Sequence, residues 1–234
     1  MIRLSLITLL ILIQIKVYGQ QYNLKDFNLE GDINTWYSAR FDSVNIKPMT
    51  GVLASLASQR PKVNAFFTEN TLDWMKASIM YDNQRYDNVR IKYDIEQQLA
   101  YISHPLNKQT ITLDQQLVNW FRTPAGIFKP KNEATGYYLI IFEGEQLSLV
   151  KESSKRLVIQ NREFDYARTD ELFLLTNNEK VRIKNRKSYL KQFPTHKKEI
   201  KKFMRSQESR EINRMGKESF LIHLAKYCDN LSIQ

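Results

Sequence analysis

Cysteine is nearly missing from this chain of 234 residues. Cys228 stands alone, so no intrachain disulfide can form and the fold must rest on packing. Glycine is scarce at seven residues, and none of them sits in a phosphate-cradling loop. No G-x-S-x-G elbow occurs, and Cys228 has no histidine partner in a nucleophile motif. The three histidines, His104, His196 and His223, are far apart. None has a second His, Cys or carboxylate at a convincing ligand spacing, and His196 lies in a Lys-rich turn unfavourable to a divalent cation, so no metal site and no cofactor are expected. Low-complexity segments and internal repeats are also lacking. These absences leave no catalytic residue to name from motifs.

What is present begins at the N-terminus. Met1-Ile2-Arg3 carries a positive charge, and Leu4 to Ile13 follows as an aliphatic run broken only by Ser5 and Thr8. Val17-Tyr18-Gly19 ends on a small residue. This layout predicts a secretory signal peptide over residues 1–19, cut near Gly19. A transmembrane helix would need about 20 apolar residues to cross a core of roughly 30 Å. Gln14 and Lys16 end the run well before that, so no span is expected after cleavage. No Cys follows the run, which argues against lipid attachment there. The mature chain, Gln20 to Gln234, carries a formal charge of +8 instead of +10, since Arg3 and Lys16 are removed.

The mature chain reads as three regions. Residues 20–70 are irregular, with Pro48, Gly51 and Pro61. Residues 71–184 carry a β signal. Ala77, Ile79 and Tyr81 alternate with polar neighbours, and so do Val89, Ile91 and Tyr93. Further strands are predicted over 99–102, 109–113, 117–121, 136–142, 146–151, 172–176 and 180–184. Asp82-Asn83, Glu143-Gly144-Glu145 and Asn177-Asn178 read as turns. Tyr137 to Phe142 lacks polar alternation and is predicted to be a central strand buried on both faces. Residues 185–234 turn helical. Ser188 to Phe193 precedes Pro194, and Thr195 is placed to cap a helix bearing Ile200, Phe203 and Met204 on one face. After Gly216, the residues Phe220, Leu221, Leu224, Tyr227, Cys228 and Leu231 form an apolar stripe that must pack on the sheet or a neighbouring helix. The expected fold class is α+β. An antiparallel meander, sandwich or open barrel of about eight to ten strands is followed by two or three C-terminal helices.

The charge is local. Eleven Lys/Arg and a single acid, Glu199, stand between Lys180 and Arg205, which leaves the rest of the mature chain at −2. Lys198, Lys201, Lys202 and Arg205 recur at helical spacing opposite Ile200 and Phe203. Lys180, Arg182 and Lys184 alternate with Val181 and Ile183. These seven residues are the candidate binding surface. It is either a solvated outer face or a seat for an anionic lipid, lipopolysaccharide, an anionic glycan or another envelope protein. Nucleic acid would meet the same electrostatics, but export argues against it. The tyrosines Tyr81, Tyr86, Tyr93 and Tyr101 fit strand packing better than a sugar platform. Asp82, Asp87, Asp94 and Glu96 offer carboxylates of the kind a glycosidase needs, against the plainer reading of solvated turn residues.

Two stretches carry a family likeness. One is Trp74-Met75-Lys76-Ala77-Ser78-Ile79-Met80-Tyr81-Asp82 leading into Tyr86-Asp87-Asn88-Val89-Arg90-Ile91-Lys92-Tyr93-Asp94-Ile95. The other joins Leu172-Phe173-Leu174-Leu175 and Val181-Arg182-Ile183-Lys184 to Lys187-Ser188-Tyr189-Leu190-Lys191-Gln192-Phe193-Pro194. Together they resemble the opening hairpin, closing hairpin and helix of a family of exported β-rich proteins of Bacteroidetes-type bacteria. The likeness spans Phe66 to Leu231 and leaves out Gln20 to Ala65. It implies the fold class and an exported location, and because no β-sandwich sorting domain is read at the C-terminus, the periplasm is expected ahead of an extracellular or outer-membrane-associated place. No established activity comes with that family, so the likeness implies no site residue. Three roles follow as expectations: a non-catalytic envelope module with a basic surface, an envelope glycan hydrolase, or a structural assembly factor.

Overall fold

The computed structural model describes residues 46–54, 64–68, 73–132, 134–160, 163–176 and 179–231. The predicted signal peptide and the Asn177-Asn178 turn lie outside them. Among the described residues the chain forms eleven strands and four α-helices. The strands are β1 (Val52–Ala54), β2 (Met75–Tyr81), β3 (Gln84–Asp94), β4 (Leu99–Ser103), β5 (Thr110–Thr112) and β6 (Val118–Thr123). They continue with β7 (Gly126–Pro130), β8 (Tyr137–Glu143), β9 (Leu147–Gln160), β10 (Glu163–Thr176) and β11 (Lys180–Arg182). The helices are α1 (Arg186–Gln192), α2 (Lys197–Met204), α3 (Gln207–Met215) and α4 (Lys217–Leu231). The expected class, α+β with an antiparallel sheet, is the observed one.

All eleven strands join one open sheet in the order β1-β5-β4-β3-β2-β6-β7-β8-β9-β10-β11. Neighbours pair antiparallel, as tight turns between consecutive strands require. Asp82 and Asn83 join β2 to β3 with φ of 51° and 61°, the left-handed pair that suits a two-residue hairpin. After β5 the chain makes a short 3-10 turn over Gln115–Leu117 and returns to pair β6 with β2.

The sheet curls around an aromatic core. Ile79, Ile91, Tyr93, Phe121, Phe128 and Tyr137 are at most 1% exposed and sit on its concave side. The ring of Tyr93 meets Phe121, Phe128 and Tyr137 edge-on, with centroids 5.4 to 6.2 Å apart. Its hydroxyl donates to Gln98 Oε1 at 2.7 Å and accepts from the Tyr137 amide at 2.9 Å. Burial pushes that hydroxyl's pKa well above the usual tyrosine range. Tyr81, Tyr86 and Tyr101 are also buried, so these tyrosines serve packing.

The far end of β9 closes the curl against the end of β3. The Lys155 amide donates to Ile95 O at 3.0 Å, and Phe66 bridges Asp94. The Lys155 ammonium is buried and donates to Asn64 O, Asn64 Oδ1 and Phe66 O at 2.8 to 3.1 Å. A buried lysine is tolerated because its three donors all find acceptors.

A second core lies between the helices and the sheet. Leu147, Leu149 and Leu174 meet Tyr189, Ile200, Phe220, Leu221, Leu224 and Cys228, all nearly inaccessible. Burial pushes the Cys228 thiol up to about 12, which fits a packing residue. Tyr189 donates to Leu221 O at 3.0 Å and ties α1 to α4. Asp229 latches α4 to the β8–β9 turn by accepting from the amides of Glu145, Gln146 and Leu147 at 2.8 to 3.0 Å. Gly144 is needed there, since a Cβ at that position would stand 2.2 Å from Asp229 Oδ2.

Several expectations need correction. The sequence pattern does not foresee β7 or the outer halves of β9 and β10, and the run from Val52, which the sequence leaves open between a short helix and a strand, is strand β1 over Val52–Ala54. Helical structure comes as four segments, because Ser206 accepts from the Ser209 amide and starts a new helix after Arg205. His196, not Thr195, occupies the N-cap of α2. β8 is central, between β7 and β9, but only Tyr137, Tyr138 and Leu139 are fully buried. Past them the register shifts between Ile140 and Phe142, and Ile141 touches both cores while remaining partly exposed.

Candidate anion-binding surface

The seven cations expected to form one surface divide into two groups. Lys180 and Arg182 are committed to the sheet. Lys180 donates to Glu152 Oε2 at 2.9 Å and lies over the rings of Phe173 and Tyr138, 4.3 and 5.0 Å from their centroids. Arg182 pairs with Glu171. Glu152 also receives the buried ammonium of Lys131. Burial raises the Glu152 pKa, but the hydrogen bonds and charges of Lys131 and Lys180 outweigh it and hold the carboxyl below its ordinary value. For Lys180 burial acts downward, and Tyr138 and Glu152 reverse it to a net rise. These two cations are thus partly neutralised by their own sheet.

The other five are exposed: Lys184, Lys198, Lys201, Lys202 and Arg205. None makes a salt bridge among the described residues. Ile200 is buried in the second core and Phe203 stacks on Tyr227 at 3.8 Å, so α2 turns its lysines outward. Glu199, the local acid, is held by His196 at 3.0 Å. Like charges packed this closely repel, and such an arrangement gains energy when an anion approaches.

A groove of about 500 Å³ opens between the starts of α1 and α4 and the end of α3, a size usual for ligand clefts. Arg186, Lys187 and Lys217 stand on its rim, with Asn213 beside them and Phe220 and Leu221 beneath. Asn185 caps α1 through its side chain, accepting from the amides of Lys187 and Ser188, which fixes where Arg186 and Lys187 leave the backbone. The Arg186 guanidinium rests on the Phe220 ring at 4.4 Å and donates to Asn213 Oδ1 at 2.5 Å. The residues lining this groove include no acid. Sequence reasoning counted Arg186 and Lys187 in the basic segment but did not single them out, and Lys217 lies outside that segment. The Asn185/Ser188 capping pair was the legible signal for the start of α1.

The four candidate carboxylates do not meet as one group but divide between the two ends of β3, and only Asp94 and Glu96 act on each other. Asp82 pairs with Lys47, and Asp87 with Arg85 at 3.0 Å, near one end of β3. Asp94 and Glu96 are at the other end, roughly 24 Å from Asp87 and farther from Asp82 at the rise of a strand. Asp94 accepts from the amides of Glu96 and Gln97 at 2.9 and 2.8 Å and shapes the β3–β4 turn. Burial and the nearby Glu96 carboxylate raise its pKa, against the pull of those amides and of Lys155. Glu96 accepts from the Tyr166 hydroxyl at 2.5 Å, and that hydroxyl is pushed up to about 12 by burial and by Glu96.

A second groove, of about 480 Å³, holds Glu143, Glu145 and Asp229. Asp229 is saturated by backbone amides and Glu143 is paired with Lys129, so no acid/base couple is poised there. Among the described residues no cluster of His, Cys, Asp and Glu could hold a metal ion, and no helix is long and apolar enough to cross a membrane.

Comparison with models of protein families, with curated proteins and with solved structures finds no match to this chain. The fold and surface define an α+β protein with a curled antiparallel sheet and a basic helical layer. Its role has to be argued from that layer.

Proposed function

We propose that this chain is an exported, non-catalytic module of the bacterial envelope that binds phosphate-bearing amphiphiles through its helical layer. The single observation that carries the reading is the set of exposed cations on α2, where Lys198, Lys201, Lys202 and Arg205 face solvent without a salt bridge among the described residues and the single acid among them, Glu199, contacts His196. Export rests on residues 1–19, whose charged start and short apolar run fit a cleaved signal. In the periplasm such a face meets lipid phosphates and lipopolysaccharide.

The processed protein, purified from the envelope fraction, should co-sediment with vesicles of phosphatidylcholine plus phosphatidylglycerol and not with phosphatidylcholine alone. Retention should fall steeply with salt, because exposed charges are screened beyond about 8–10 Å. Equal, salt-independent retention on both vesicles would end this reading. Mass spectrometry of the same fraction should place the N-terminus near Gln20, and a chain starting at Met1 in the membrane pellet would contradict export by cleavage.

A second reading, an assembly factor held by protein contacts, is favoured by the apolar side chains on edge strand β1. Val52 and Leu53 are 77% and 61% exposed. Exposed edges recruit partner strands. Replacing Val52 and Leu53 by Lys should leave vesicle binding intact under the first reading. It should abolish co-purification of a partner protein under the second.

A further inference from the structure

The groove between α1, α3 and α4 has features a general basic face does not need. Arg186 is oriented before any ligand arrives, by the Phe220 ring below it and by Asn213 beside it. A planar guanidinium fixed this way offers its remaining N–H groups as a fork for an oxyanion, with little rotamer freedom left to lose. Lys187 and Lys217 add two charges on the same rim. A free lysine pair would attract anions, but a held arginine between two lysines selects a compact, multiply oxygenated group such as a phosphate.

Close to Lys217 in the chain, though not among the residues that line the groove, stands an exposed apolar side chain. Met215 ends α3, two residues before Lys217, and is 77% exposed. A bare oxyanion would gain nothing from it. A bilayer would, since binding at an interface grows with apolar area buried at the acyl boundary and with cations beside it. The groove volume exceeds what a lone oxyanion fills, which also points to an anion attached to something larger.

We propose that the α3–α4 corner is the docking point on an anionic bilayer, with one lipid phosphate held by Arg186, Lys187 and Lys217 and Met215 entering the acyl boundary. The proposal rests on the binding reading above and names its point of contact. The lysines of α2 then supply longer-range attraction, and this corner sets orientation and depth.

The processed protein with Met215→Cys, labelled with an environment-sensitive dye, reads the corner directly. Cys228 is fully buried and stays unlabelled in the folded protein. The dye should shift to the blue on vesicles containing phosphatidylglycerol and stay unchanged on phosphatidylcholine. Lys187→Glu with Lys217→Glu should lower the vesicle partition coefficient by about tenfold or more, given the usual contribution of each basic residue at an anionic surface. Met215→Ser should lower it about fivefold, the loss of one inserted apolar side chain. Thermal melts should be unchanged, and if the double reversal unfolds, Lys187→Gln with Lys217→Gln gives the same comparison.

Vesicle binding with a dye that stays in water, and a Met215→Ser variant that binds like wild type, would overturn the corner and leave the basic-surface reading standing. Loss of the shift on adding inorganic phosphate, at ionic strength matched with chloride, would mark a free-oxyanion site and overturn docking to lipid. No binding of wild type to either vesicle would overturn both.

Discussion

The lysines and arginines of the sheet and those of the helical layer look alike in composition and do opposite work. In the sheet, Lys131 and Lys155 are buried, the first on Glu152 and the second on three oxygens of residues 64–66. Lys92 is buried between the rings of Phe66 and Trp74, at 4.8 and 4.9 Å, and desolvation lowers its pKa. Lys180 and Arg182 are tied to Glu152 and Glu171. Their charges are spent on holding the curl and its last strands. On α2 the cations point to solvent, and none of them makes a salt bridge among the described residues. A basic segment is therefore not a binding surface as such, and cross-strand register decides which of its charges remain available.

The largest expected break of this comparison is at Lys155. Lys155→Ala would strand the acceptors of residues 64–66 away from water and remove the side-chain tie from β9 to Asn64 and Phe66, while the backbone bond from residue 155 to Ile95 O remains. A loss of about 3 kcal/mol is expected in chemical denaturation. An unchanged midpoint would show that the closure does not depend on this ammonium.

Next comes the joint between the two regions. Asp229→Ala should cost about 2 kcal/mol, because three amides of the β8–β9 turn lose a charged acceptor. Hydrogen exchange should quicken at Glu145 to Leu147 first. Protection retained at those amides would mean that the turn holds itself.

A smaller effect separates the paired sheet cations from the free helical ones by pH. The folded carboxyl of Glu152 lies below its ordinary value of 4.5, so the stability it carries is fully present above that value. That stability is lost as pH falls through the lower, folded value. About 1 kcal/mol is expected, in keeping with a partly exposed group. Glu152→Gln should flatten this part of the acid unfolding curve, and a mutant with the same acid slope would assign it to other carboxylates.

The smallest effect on stability belongs to α2. Reversing Lys198, Lys201 and Lys202 to Glu should change the melting free energy by within about 0.5 kcal/mol each. A larger loss would show that their aliphatic stems are part of the packing.

Much of the fold was legible. Ile79, Ile91 and Tyr93 follow the period-two pattern, and Phe220, Leu224 and Cys228 the helical one, because those elements bury one face against an apolar core. The outer halves of β9 and β10 were not legible. There the inward residues are Ser153 and Lys155, and Leu157 and Ile159 are exposed at 44% and 70%, so polarity runs against position. The helix break at Ser206 was hidden because a serine cap looks like any exposed serine in a charged run. The candidate surface was half legible. Outward placement of Lys198 and Lys201 follows from helical spacing. The capture of Lys180 by Glu152 depends on β9, β10 and β11 lying side by side, and the groove joins Arg186 to Lys217 across an interval no local pattern spans.

Two double reversals of equal formal charge test the distinction most directly. One is Lys198→Glu with Lys201→Glu on α2. The other is Lys76→Glu with Arg90→Glu, two exposed cations facing each other across β2 and β3. Retention of the processed protein on phosphatidylglycerol vesicles should drop sharply for the α2 pair and remain near wild type for the sheet pair. An equal drop in both would show that net charge, and not the helical layer, draws this protein to anions.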